Sequence, residues 1–433
     1  MRGMRRRVIL SALVGPWAMV LGSVSGRGPT SVLGDGSSLD ARAGVTASGS
    51  ANVEYPDEYV GGALVRLNDN GAWSWFMDPR AIIDEGKLIA GSVRAVGSNQ
   101  ANESDPRWGN VEVSVYELAT GRVATTVLHP HLEQDDHDAP AFLIRRDGSY
   151  LAVYSKHAVE RRTYYRISEP HNPLAWGPAA VIETPGENAA RAGNNDTYAN
   201  LFRMPDGRVF NFFRGFGHDY DNSLYHGYLQ GDTIHHSNGA VVGTLNTTTE
   251  KKIATWEMAD IELDRDAHPY VLFSTQIDGR GLPRGQGGMD LRYHYARWDG
   301  TSWHTEEIAQ AGRRLYAGED DYSGLGALDP KNPDVMYIST DADPVSGDPL
   351  VSHADRKRHY ELFRGQRDAR LGKWTWAPFT RNSTADNLRP VIPAWNDPRT
   401  ALVWMRGTYV HNHGEWTTSM VAAIIPPLAP AGR

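Results

Sequence analysis

The stretch Asp147-Gly148-Ser149-Tyr150-Leu151-Ala152-Val153-Tyr154-Ser155 sets the reading of the fold. Asp-Gly gives the backbone a tight turn, and the run after it carries the β-branched and aromatic residues that favour a strand. The device recurs at Asp84-Glu85-Gly86-Lys87-Leu88-Ile89-Ala90-Gly91, at Asp206-Gly207-Arg208-Val209-Phe210-Asn211-Phe212-Phe213-Arg214 and at Asp266-Ala267-His268-Pro269-Tyr270-Val271-Leu272-Phe273-Ser274. Two further copies run from Asn332 to Ser339 and from Asp397 to Arg406. A spacing of about 60 residues is the scale of a propeller blade with long loops rather than of a solenoid coil. With no long amphipathic helical pattern between the copies, the chain is expected to be all-β. The six turns, together with strand-like runs around Gly61 to Leu67 and Ser419 to Ile425, predict a seven-bladed β-propeller over residues 53–433, its seventh sheet closed by both termini.

Outside that domain, Arg2, Arg5, Arg6 and Arg7 precede an apolar run from Val8 to Val24 that ends in small residues. This order of basic, apolar and small reads as a secretory signal peptide over 1–26, and the Gly, Ser and Ala of 27–52 as a flexible leader. The expected location is therefore extracellular. Hydrophobic residues make up 40% of the chain and charged residues 22%, which supplies a large core and argues against disorder. Because Cys is absent, neither a disulfide nor a thiolate metal site is available. A formal net charge of -8 argues against nucleic acid as a partner, and an acidic ligand must be held by a local basic site. No membrane partner is expected, and the protein is read as a monomer.

In a propeller, ligands meet loops at one end of the channel, so functional side chains belong at strand ends in several sheets. Four segments meet that description: Asp135-Asp136-His137-Asp138-Ala139-Pro140-Ala141, Tyr154-Ser155-Lys156-His157, Thr197-Tyr198-Ala199-Asn200-Leu201 and Phe212-Phe213-Arg214-Gly215. They bring together two imidazoles, a phenol and a guanidinium, which are the parts for abstracting a proton beside a carboxylate. In β-elimination from a 4-linked uronate the C5 proton becomes acidic only when the neighbouring carboxylate is neutralised, a task suited to Arg214. A His or Tyr of adjusted pKa can then act as base, or as acid toward the O4 leaving group. Each residue also has an ordinary structural reading: a loop His at the surface, a core Tyr, an Arg paired with Asp219 or Asp221.

These four segments resemble, in order and spacing, the catalytic segments of β-propeller ulvan lyases of polysaccharide lyase families 24 and 25. The resemblance extends through Trp73 to Arg80, Tyr295 to Gly300, Glu319 to Leu325, Tyr337 to Pro344 and Asn382 to Pro390, most of the chain after the leader. It implies a lyase acting on ulvan, a sulfated rhamnose-uronate polysaccharide, and leaving an unsaturated uronyl end. Tyr198 would be base and acid for glucuronate, His137 and His157 the paired catalytic histidines, Arg214 the carboxylate neutraliser and Asn200 a further substrate contact. No cofactor is required for such catalysis. A structural metal such as Ca²⁺ stays open, with Asp341, Asp343 and Asp348 as an acidic loop, although solvated carboxylates are the commoner reading.

Two rival readings go with this one. The first is a lyase or rhamnosidase on another rhamnose-uronate glycan such as a plant gum; a hydrolase would need a carboxylate pair, and the sequence offers acidic residues such as Asp136 and Asp138 but no obvious pair at the His, Tyr and Arg cluster. The second is a propeller that only binds glycan. Arg161, Arg162, Arg313 and Arg314 are basic pairs that could meet sulfate. His235-His236 reads as an exposed strand pair, and Gly285-Gln286-Gly287-Gly288 as a mobile loop near the groove.

Overall fold

The computed structural model describes residues 9–10, 58–74, 77–97, 102–157, 162–183, 200–203, 209–212, 227–230, 233–236, 238–244, 258–279, 282–283, 285–409 and 412–427. They are all-β save one short 3₁₀ turn, and they fold into successive antiparallel meanders. Ala81–Asp84, Lys87–Val93, Val111–Glu117 and Val123–His129 make the first sheet. The second runs Ala141–Ile144, Tyr150–Ser155, Arg162–Glu169 and Asn172–Trp176, with Ala180–Glu183 also pairing to Arg162–Glu169. A hairpin of Asn200–Arg203 and Val209–Phe212 follows, then Gly227–Gln230, Thr233–His236 and Val241–Thr244, with Ile9–Leu10 beside Gly227–Gln230. Two more four-stranded sheets come next, Met258–Leu263 to Trp303–Gly312 and Gly326–Asp329 to Trp374–Pro378. The last sheet holds Asp386–Val391, Thr400–Gly407 and Ser419–Ile425, and Leu64–Arg66 is its fourth strand.

This array of four-stranded sheets is consistent with a β-propeller. Successive sheets pack face to face through interdigitated apolar side chains. Ile89, Val111, Val113 and Val115 of the first sheet meet Phe142, Tyr150 and Tyr154 of the second. Tyr337 and Leu362 likewise meet Leu402 and Trp404 of the last. Strands buried on both faces read as near-continuous apolar runs, which explains the run after each turn. The expected closure by both termini is present, but Leu64–Arg66 and Ser419–Ile425 do not make a seventh sheet. They complete the sheet that already carries the sixth turn, because Val65 pairs with Ala422 rather than with a strand of its own.

The repeated turn lies between the first and second strands of its sheet wherever it is described. Asp147 Oδ1 accepts the Ser149 N–H at 3.1 Å, Asp264 Oδ1 those of Asp266 and His268 at 2.9 Å, and Asp397 Oδ1 that of Arg399 at 2.9 Å. One short carboxylate thus satisfies the turn's own backbone donors, and this local chemistry is what makes the repeat visible. In the first sheet Glu85 and Gly86 both take positive φ, 46° and 74°, the twist of a type I′ hairpin turn that suits Gly at its second central place.

Two expectations about loops change. The Gly285–Gly288 segment is clamped, not mobile: Asp320 Oδ2 accepts the N–H groups of Gly285 and Gly287, and Arg314 donates to both of their carbonyls and to Asp320. Arg313 and Arg358 both pair with buried Asp341. Arg313 and Arg314 therefore hold loops together, and the charge of Asp341 is already met by two guanidinium groups.

His359 is buried between Asp355, 2.8 Å from Nε2, and Asp386, 3.1 Å from Nδ1. The Asp386 hydrogen bond, with that of Asp355, outweighs burial and pushes its pKa up to about 9 from the ordinary 6.5. A raised folded-state value stabilises the fold fully below the unfolded pKa, and the gain is lost as pH rises through about 9. His359→Gln is expected to melt lower than the parent at pH 6, with the gap closing above pH ~9.5. A gap that does not change with pH would show that the charge contributes nothing.

Candidate functional site

Residues 130–140 connect the first sheet to the second and carry the site. Asp135 takes an extended backbone and caps the 3₁₀ turn Asp136–Asp138, accepting the His137 N–H through Oδ1 at 3.0 Å. That turn folds the His137 ring back so that Nδ1 lies 2.5 Å from the same oxygen and 2.9 Å from Asp136 Oδ1. His157 follows the strand Tyr150–Ser155, and its N–H is received by Glu133 at 2.9 Å. Its ring stacks on His137 with centroids 3.8 Å apart and planes 10° from parallel, and its Nδ1 lies 2.9 Å from Asp135 Oδ2. A carboxylate can only accept, so each Nδ1 carries a proton, and in a neutral ring Nε2 is then the acceptor.

The last sheet adds a third imidazole. His413 lies in the hairpin between Thr400–Gly407 and Ser419–Ile425, stitched to the 3₁₀ turn by Asp136 N–H donating to the His413 carbonyl at 3.0 Å and by Gln134 Nε2 donating to the Gly414 carbonyl at 2.8 Å. Its ring stands nearly perpendicular to His137 and His157, at 81° and 89°, with Nε2 3.4 Å from Asp135 Oδ2. Beneath the turn, Asp136 Oδ2 receives Arg389 at 2.7 Å and the Tyr409 hydroxyl at 2.9 Å. Arg389 is wholly buried, also donates to the Trp73 carbonyl, and lies over the Tyr409 ring at 4.7 Å.

Burial and neighbouring charge divide the carboxyls. Burial raises Asp135, but the charge and hydrogen bonds of His137 and His157 outweigh it and hold the group well below the usual carboxylate range. Asp136 is likewise raised by burial and pulled down further by Arg389 and His137, to about 2. Burial, then the charge of Asp135, pushes Glu133 up to about 7. Asp138 is raised well above the usual range by burial and by Glu133 and Asp135, and neither of its oxygens has a hydrogen-bond partner among the described residues. Burial and His137 lower His157, so its ring is neutral near pH 7.

His137 and His157, singled out from the sequence, therefore stand side by side. Tyr198 and Arg214 lie outside the described residues, as do Arg161 and the side chain of Asn200, the first residue of the strand Asn200–Arg203. Asp136 and Asp138 do not form an accessible carboxylate pair, since one is bound by Arg389 and Tyr409 and both are buried. Sequence reasoning missed His413, Glu133 and the Arg389–Tyr409 support. The only local sign of His413 was a polar turn, Asn412-His413-Gly414, between two apolar strands.

A family described as "BNR repeat-containing family member" matches residues 94–240. No curated protein matches the chain. Among solved structures, an ulvan lyase of family PL25 bound to -[GlcA(1-4)Rha3S]- is 12% identical, with 82% of this chain and 94% of that one covered and a TM-score of 0.47. The GH93 α-L-arabinofuranosidase of Fusarium graminearum with arabinobiose is 9% identical over 85% and 98% of the two chains, with a TM-score of 0.43. The phage phi92 endosialidase is 9% identical over 86% and 70%, with a TM-score of 0.40.

Proposed function

We propose that this chain is a carbohydrate-active enzyme, a polysaccharide lyase that cleaves a 4-linked uronate polymer by β-elimination, with ulvan as the expected substrate. The observation that carries the reading is the stacked His137–His157 pair, its two Nδ1 atoms on the single carboxylate of Asp135, with burial and His137 keeping His157 in the neutral form. That is the state a base needs before it takes a proton from carbon. In the reaction the base removes the C5 proton, the C–H electrons become the C4=C5 double bond, the C4–O4 bond breaks, and an acid protonates O4. Arg214 neutralises the uronate carboxylate and Tyr198 serves as base and acid for glucuronate, roles that rest on the sequence resemblance. Export of the mature chain belongs to the same proposal and rests on the N-terminal sequence.

A hydrolase reading draws on Glu133, whose pKa of about 7 makes it half protonated near neutrality beside ionised Asp135. Incubation with ulvan, followed by ultraviolet absorbance and by a reducing-end assay, separates the readings. Lyase action is expected to raise both signals together. New reducing ends without absorbance would replace the lyase by a hydrolase, and no change in either would leave a glycan-binding propeller.

A further inference from the structure

We infer that His137, His157, His413 and Asp135 form a binding site for a borderline divalent transition metal, for which Zn²⁺ is the natural probe. Three imidazole nitrogens from three separate segments converge on one buried carboxylate: His137 Nδ1 at 2.5 Å from Oδ1, with His157 Nδ1 at 2.9 Å and His413 Nε2 at 3.4 Å from Oδ2. The rings of His137 and His157 stack with their Nδ1 edges toward Asp135, so one of the two turns out of the stack to share an ion, and the perpendicular ring of His413 closes a third side. The ligand atoms of Asp135, His137 and His157 all lie within 4.8 Å of one another.

Three nitrogens and one oxygen are the donor set of a zinc-type site, and the absence of thiolate does not weaken it. The charge is right as well. Among the described residues no Lys or Arg is paired with Asp135, because Arg389 is spent on Asp136. Backbone contacts fix the ligand segments: Glu133 holds the His157 N–H, and Asp136 and Gln134 hold the His413 turn. His413 is 37% exposed at its side chain, which leaves an entry path. Bonds of about 2.0–2.1 Å place tetrahedral donors about 3.3 Å apart, so binding opens the two shorter contacts by less than about 1 Å.

This inference goes beyond the lyase reading and does not need it: a metal on Nδ1 displaces the proton there and leaves Nε2 as a donor, so the base of the lyase reading belongs to the metal-free chain. The test uses the full chain, stripped with a chelator and titrated with Zn²⁺ in competition with a chromogenic chelator, without any glycan. One equivalent is expected to bind, His413→Ala and Asp135→Asn to weaken it at least about tenfold, and His359→Gln to leave it unchanged. Because the His413 side chain is partly exposed, its loss spares the fold, which the far-ultraviolet spectrum verifies. Co²⁺ gives a second readout, with visible bands of tetrahedral nitrogen ligation that vanish in His413→Ala. Absence of a stoichiometric site, or equal affinity in the parent and His413→Ala, overturns the inference whatever the chain does to ulvan.

Discussion

Arg389→Met is expected to cost about 3–5 kcal/mol of stability at pH 7. The guanidinium is wholly buried, pairs with Asp136 at 2.7 Å, donates to the Trp73 carbonyl, and lies against Tyr409. Methionine fills much of the volume but leaves the buried Asp136 carboxylate without the guanidinium, its strongest counter-charge. The sign of the pH dependence follows. In the parent, Asp136 is held at about 2, so its contribution is present above the ordinary carboxylate pKa and is lost as pH falls through about 2. In the variant the carboxyl has lost that support and takes up a proton, so the deficit shrinks as pH is lowered toward 4. Urea unfolding at pH 7 and pH 4.5 measures both terms, and pairing the change with Asp136→Asn is expected to restore part of the loss. A deficit below about 1 kcal/mol at pH 7 would show that the pair does not hold this end of the fold together.

That end of the fold shows what a sequence can and cannot disclose. The repeated turns were legible because an Asp oxygen capping N–H groups a few residues on is local chemistry, and Asp147, Asp264 and Asp397 all do it. His137 and His157 were legible because each sits beside a strand in a quotable motif. Their partners were not. Arg389 and Tyr409 reach Asp136 across 253 and 273 residues of sequence, and nothing in Asn387-Leu388-Arg389-Pro390 marks its Arg as buried. The same limit produced the expectation of a seventh sheet: Leu64–Arg66 looks like a strand by composition, but only pairing with Ser419–Ile425 tells which sheet it joins. The Gly285–Gly288 loop looked mobile because its clamp, Arg314 and Asp320, lies outside any local window.

His137→Ala is expected to lower turnover of ulvan by about 10²–10⁴, the range for losing a positioned proton-transfer group, while the protein stays folded. If the two rings act as one unit on Asp135, then His137→Ala with His157→Ala falls little further than either alone, because the second change removes a group already displaced. Tyr198→Phe is expected to abolish turnover of glucuronate-rich polymer, since ring size is kept and only the hydroxyl proton is lost. The pH profile separates the histidines. A base must be neutral, so activity falls as pH drops through its pKa, and burial together with His137 lowers His157 from the ordinary 6.5. With His157 as the base, the acid limb lies below that value and moves up toward it in His137→Ala, where one of the two causes that lower it is gone. Activity near the parent level in Tyr198→Phe would remove the phenol from its role, and an acid limb indifferent to His137 would move the base away from His157.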